Sequence, residues 1–268
     1  MPLDQSVKPT PGGYEIQCGR RLGTLGATIL WSPDGRNQRR VGISNAHVLQ
    51  RVGSPICQPV TTDVKARFLG NVAGVAAAPL YKSEQDYFGD EGGRADARFD
   101  FAFFDALPAE TSTRIEGIYS GPWGPIHRLT GYDPPPLQWR PPRLGEEVRW
   151  MGKSTGEVRS GKIVDLNYWG FIGRTDDPTM FCGISELLKI GELNGPSRAG
   201  DSGAALVASD QQIVGLYCGA TSDEAFGIGS KIPADDLELG ETTLVSQEVA
   251  LQRHELYKVR PKEHLVVQ

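Results

Sequence analysis

Gly200-Asp201-Ser202-Gly203-Ala204 decides how the rest of this chain is read. Glycines at 200 and 203 let the backbone turn sharply and bring its N–H groups close to a bound group. The Ser202 hydroxyl then stands on a tight turn, with backbone donors aimed at whatever it attacks. A serine hydroxyl is a weak nucleophile at neutral pH. It needs a base within hydrogen-bond reach, and that base needs a third group to orient it. The chain must therefore supply one suited histidine and one suited acid.

Four histidines are present. His254 and His264 lie in the polar C-terminal tail, and His127 follows the loop-forming run Gly121-Pro122-Trp123-Gly124-Pro125. His47 lies in Val41-Gly42-Ile43-Ser44-Asn45-Ala46-His47-Val48-Leu49, which reads as a buried strand entering a turn. A lone histidine more often has a core or surface role, but the serine motif reverses that preference here. For the acid, Phe99-Asp100-Phe101-Ala102-Phe103-Phe104 sets a carboxylate in an almost wholly apolar strand. A buried carboxylate is costly unless paired or hydrogen-bonded. The ring N–H of His47 is its natural partner. Asp96, after a polar loop, and Asp105, at the strand end, are the alternatives.

These pieces resemble the trypsin-like serine proteases of the chymotrypsin clan. Ser44-Asn45-Ala46-His47-Val48, Asp100-Phe101-Ala102 and Gly200-Asp201-Ser202-Gly203 stand in that family's order. Gly23-Thr24-Leu25-Gly26-Ala27-Thr28 resembles its first strands, and Arg149-Trp150-Met151-Gly152-Lys153-Ser154-Thr155-Gly156 resembles the opening of its second barrel. Gln212 to Gly219 resembles the strand lining the substrate channel, and Gly227 to Ile232 resembles the last core strand. The likeness covers roughly residues 20 to 235. Gly23 to Ala27 is similar to the plant narrow-leaf type and its bacterial relatives.

The resemblance implies an all-β chain of two consecutive six-stranded antiparallel β-barrels, with a possible C-terminal helix. It implies an endopeptidase in which Ser202 is the nucleophile, His47 the base and Asp100 its orienter. The N–H groups of Gly200 and Ser202 would form the oxyanion hole. Pro196 would sit at the base of the primary pocket, walled by Tyr217, Cys218 and Gly219 with Gly227 opposite, and Gly219 and Gly227 would leave room for a side chain. No carboxylate lies in Asn194 to Ser197, so uncharged, apolar or small residues are expected before the scissile bond. Asp223 and Glu224 read as solvent-facing, and Glu192 is the other acid able to change that. In the family, the acid before the serine pairs with a buried cation, so Asp201 is expected to meet an internal Arg or Lys.

Bulk properties agree with this class. Gly 33 and Pro 19 in 268 residues, with short apolar runs between turn clusters, favour a sandwich or barrel over an α/β fold. A net charge of −5 implies no nucleic-acid partner. No apolar run reaches membrane-span length. Met1 to Ser6 lacks a secretory signal, so a cytoplasmic protein with reduced thiols is expected. Cys18, Cys57, Cys182 and Cys218 show no metal-ligand spacing, so neither metal nor cofactor is expected, and Cys182 with Cys218 is the one pair weighed as a disulfide. A protein or peptide substrate is the expected partner.

The chain divides into an arm (1–19), a first barrel (20–130), a Pro-rich linker (131–142), a second barrel (143–240) and a tail with partial helical spacing (241–268). Two decoys are set aside. Gly152-Lys153-Ser154 ends like a phosphate loop, but Glu147 stands where that motif needs glycine. The phenylalanines at 99, 101, 103 and 104 read as core rather than a base-stacking platform. Two rival functions remain. One is a catalytically silent protease fold used as an interaction module. The other is a serine esterase, which would place its histidine last.

Overall fold

The computed structural model describes residues 8–31, 39–49, 51–58, 66–76, 99–118, 136–173, 181–221, 223–232 and 264–266. In chain order the first half carries β1 (Thr10–Gly12), β2 (Glu15–Cys18), β3 (Arg21–Thr24), β4 (Ala27–Trp31), β5 (Arg39–Ser44), α1 (Ala46–Leu49), β6 (Pro55–Gln58), β7 (Arg67–Ala76), β8 (Phe101–Ala106) and β9 (Thr111–Ile115). The second half carries β10 (Glu147–Met151), β11 (Val158–Gly173), β12 (Phe181–Gly191), β13 (Ala205–Ala208), β14 (Ile213–Thr221), β15 (Gly227–Ser230) and β16 (His264–Val266).

The first sheet runs β3-β2-β6-β7-β8-β5-β4. Its outer members are consecutive pieces of one segment bent at Leu25-Gly26. Leu25 N–H donates to Tyr14 O (2.9 Å) and prolongs the β2–β3 ladder. Gly26 N–H donates to Ile43 O (2.9 Å) and prolongs the β4–β5 ladder. One bent strand therefore serves both ends of the sheet, making six strands in all. The second sheet closes on itself as β10-β13-β14-β15-β12-β11, with β11 pairing back to β10. The architecture is all-β and chymotrypsin-like.

Side-chain alternation along the strands builds three apolar clusters. On β8, Ala102, Phe104 and Ala106 point into the first barrel with Ile16, Leu25, Val48 and Leu69. The intervening Phe101 and Phe103 face outward into a seam with Ile29, Ile43, Ala205, Val207 and Leu216. Ala204, just before β13, and Leu206 and Ala208 on it fill the second barrel beside Trp150, Ile190 and Tyr217. The near-continuous apolar runs of the sequence thus arise because both faces of these strands are covered. The phenylalanine run is core.

Two boundaries differ from the sequence reading. Glu15–Cys18 falls in the expected arm but pairs with β3 and β6, because Ile16 and Cys18 are apolar and find the barrel interior. Within the tail, His264–Val266 is a strand on β11 and β14. The helical spacing noted there lies outside the described residues. The linker's described part docks on β14, where Arg140 N–H donates to Ile213 O (3.0 Å) and Ile213 N–H donates to Gln138 O (2.8 Å).

Candidate active site

His47 enters the seam on α1, directly after β5. Asn45 starts that turn, its carbonyl accepting from Val48 and Leu49 N–H (3.1 Å each). The Asn45 side-chain amide donates to Asp100 O (2.8 Å) and to Cys218 Sγ (3.2 Å). Asp100 itself precedes β8, and its N–H donates to Ser230 Oγ (2.8 Å) from β15. Histidine and acid are therefore fixed by backbone ties before their side chains meet.

They meet at two points. His47 Nδ1 lies 2.6 Å from Asp100 Oδ2, and His47 N–H donates to Asp100 Oδ1 (2.9 Å). Burial pushes the Asp100 carboxyl up. The His47 charge, its two hydrogen bonds and the Cys218 thiol outweigh burial and hold the carboxyl below its usual range. An ionised Asp100 makes Nδ1 the protonated nitrogen, so Nε2 carries the lone pair. Nε2 is buried and has no hydrogen-bond partner among the described residues. Asp105 is exposed and instead approaches Arg39 (3.3 Å), while Asp96 lies outside the described residues.

Ser202 sits on the expected turn. Gly200 and Gly203 have φ of 96° and 98°, a left-handed region that favours glycine. A side chain at Gly203 would also overlap Thr24 O and Ser44 Oγ. Strand β3 of the first barrel holds the turn from outside. Thr24 N–H donates to Ser202 O (2.8 Å) and Thr24 Oγ1 to Gly200 O (2.8 Å). The N–H groups of Gly200 and Ser202 donate to no backbone acceptor among the described residues. The Ser202 hydroxyl donates to Cys218 O (2.7 Å) rather than to His47. That carbonyl is available because the β14–β15 register slips between Tyr217 and Gly219, leaving Cys218 as the extra residue of a bulge.

Asp201 departs from expectation. Its buried carboxylate meets no Arg or Lys side chain among the described residues. Oδ1 accepts from Ser154 N–H and Thr155 N–H (3.0 Å each). Oδ2 accepts from Arg198 N–H (2.8 Å) and from the Thr155 hydroxyl. Arg198 supplies its backbone, and the Lys153 ammonium goes to Glu15 instead. Neutral donors converge on this carboxylate where a cation was expected. Thr24, Asn45, Thr155 and Ser230 all bear on the site without having been given a role in the sequence. The signals available for them were the two glycines around Thr24 and the glycines at 152 and 156.

The pocket residues are less uniform. Pro196 is exposed. Gly219 pairs with Ile228 on β15. Cys218 is a free buried thiol at Asp100, raised well above its ordinary pKa by burial first and the Asp100 charge second. Tyr217 is core, stacked on Trp150 (5.0 Å between centroids, 11° between planes). Burial pushes its phenol up as well. The space expected beside Gly227 is taken, since a Cβ there would lie 3.2 Å from the Tyr217 ring. Glu192 is exposed, 3.8 Å from Lys162, and Asp223 and Glu224 face solvent.

The fold is that of the chymotrypsin-like serine proteases. A glutamic acid specific serine protease that uses a histidine triad in substrate binding superimposes with a TM-score of 0.53 at 15% identity, over 83% of this chain and 93% of its own. Protease A of Thermobifida fusca gives 0.49 at 16% identity, over 83% and 90%. The Cellulomonas bogoriensis chymotrypsin gives 0.48 at 15% identity, over 97% and 99%. No family model matches the sequence, and no curated protein matches it. The likeness establishes the fold, and the chemistry rests on the side chains.

Proposed function

We propose that the protein is a serine endopeptidase of the trypsin-like type. The observation that carries this reading is His47 Nε2. It is a buried lone pair with no partner among the described residues, on a histidine that Asp100 holds at both its ring Nδ1 and its backbone N–H, in a chain that sets Ser202 on a turn of left-handed glycines. In the reaction, Ser202 Oγ leaves Cys218 O and attacks a peptide carbonyl. Its proton passes to His47 Nε2, and Asp100 stabilises the imidazolium. The N–H groups of Gly200 and Ser202, which donate to no backbone acceptor among the described residues, receive the carbonyl oxygen as it gains charge. The C–N bond then breaks, the imidazolium protonates the leaving amine, and an ester to Ser202 remains. Water, deprotonated by His47, hydrolyses that ester and regenerates the hydroxyl.

No carboxylate lines Asn194 to Ser197, and the Tyr217 ring fills the space beside Gly227. Substrates with small, uncharged residues before the scissile bond suit such a pocket. A cytoplasmic setting fits the free thiols of Cys18, Cys57 and Cys218. The affinity to the plant narrow-leaf type stays part of this reading, on Gly23 to Ala27.

One observation favours a second reading, a silent interaction module: the Ser202 hydroxyl is bonded to Cys218 O and not to the base. A fluorophosphonate probe separates the two. Labelling of the wild type that disappears in Ser202→Ala and in His47→Ala supports the peptidase. A wild type that stays unlabelled defeats it.

A further inference from the structure

The serine-peptidase reading leaves open what holds the oxyanion turn in shape, and Asp201 bears on that question. Its carboxylate is fully buried. A carboxylate offers about four acceptor positions. Four donors occupy them: Ser154 N–H and Thr155 N–H on Oδ1, Arg198 N–H and the Thr155 hydroxyl on Oδ2. An ammonium or guanidinium group would have to displace one of these.

The loop is shaped for that carboxylate. Successive N–H groups at 154 and 155 converge on one oxygen, a concavity of the kind that binds anions. Gly152 has no room for a Cβ, because the Asp201 carboxyl fills the position. Gly156 N–H donates back to Gly152 O (2.9 Å) and closes the loop. Lys153, the cation within the loop, lies along Gly200 and gives its ammonium to Glu15 on β2, not to the Asp201 carboxylate.

The backbone of Asp201 is tied into the serine turn itself. Its N–H donates to Arg198 O (3.0 Å), and its carbonyl accepts from Ala204 N–H (3.1 Å). The residue lies between the two N–H groups that face the oxyanion. A displacement of its backbone would turn both of them.

We propose that Thr155 is a positioning residue and that loop 152–156 takes the place of a cation. The oxyanion turn is then set when the chain folds, with no released α-amino group or other cation needed to order it. This rests on the peptidase reading, because the turn matters only if an oxyanion forms there.

The test uses the full chain and compares the wild type with Thr155→Val and Thr155→Ser. Thr155→Val removes one hydrogen bond to an ionised group. It should lower kcat by roughly ten- to a hundredfold while leaving KM within about threefold, because the oxyanion gains its charge only in the transition state. Thr155→Ser should restore kcat. Residues added before Met1 should leave kcat unchanged. Unaltered kcat in Thr155→Val, with the wild type still labelled by fluorophosphonate, overturns the proposal and leaves the peptidase reading intact. Absence of wild-type labelling defeats both. Amide exchange on the unmutated protein supplies a readout that needs neither activity nor a foldable variant. Slow exchange at Ser154 and Thr155 is expected, and fast exchange at both overturns the cradle.

Discussion

Asp100 and Asp201 are both withdrawn from water beside the same serine turn, yet each is balanced by a different kind of neighbour. Asp100 faces a titratable ring and a thiol across the seam between the barrels. Asp201 faces three backbone N–H groups and one hydroxyl. The first environment changes its charge whenever His47 gains or loses a proton. The second has no proton to exchange at neutral pH. An acid that takes part in proton traffic and an acid that only fixes shape are thus told apart by their donors, since burial is the same for both.

Exchanging carboxylate for amide at each position tests the contrast. Asp100→Asn should cut kcat by about 10⁴, because the amide favours the wrong tautomer of His47. Steady-state turnover of a small amide substrate measures it, and a loss below tenfold would return the role to Asp96. Asp201→Asn should lower kcat at least as far as Thr155→Val and should also cost stability. An amide NH₂ turned toward N–H donors leaves buried groups unpaired, at a cost of roughly 1–3 kcal/mol each. Urea unfolding should show the larger loss at Asp201, and equal losses at both sites would erase the contrast.

Acid titration sharpens it further. The folded Asp100 carboxyl titrates below its ordinary value of 3.8. Its stabilisation is therefore present above that value and fades as pH falls through the lowered one. The stability gap between wild type and Asp100→Asn should accordingly shrink on going from pH 6 to pH 3. A gap that widens would mean that the carboxyl is raised in the folded state. The smallest effect belongs to Cys218. Cys218→Ser keeps a donor to Asp100 and should change kcat by less than about tenfold, whereas Cys218→Val removes a weak donor and should cost more. Equal kcat in the two variants would show that this donor is idle.

The same contrast explains what the sequence disclosed. Asp100 stands out because a carboxylate in an apolar strand needs a partner, and His47 is the one histidine that directly follows a comparable apolar run. The barrels are legible in the same way, through apolar runs broken by glycine and proline. Asp201's partners leave no such trace. Backbone N–H groups exist at every residue but proline, so side-chain identity does not reveal where three of them converge. A cation was the natural expectation, and the folded loop 46 residues upstream replaced it. Tyr217 misled for a related reason. Glycine at 227 reads as open space, but vacancy in a sequence says nothing about which neighbour moves in.

The clasp by β3 has a consequence for how this molecule can be divided. His47 and Asp100 belong to the first half, Ser202 and Cys218 to the second, and Thr24 grips the turn across the boundary. Each half alone holds an incomplete apparatus. If the chain is severed between residues 118 and 136 and the fragments are mixed, reactivity at Ser202 should report their association. The seam would then serve as a coincidence detector, silent until both pieces are present.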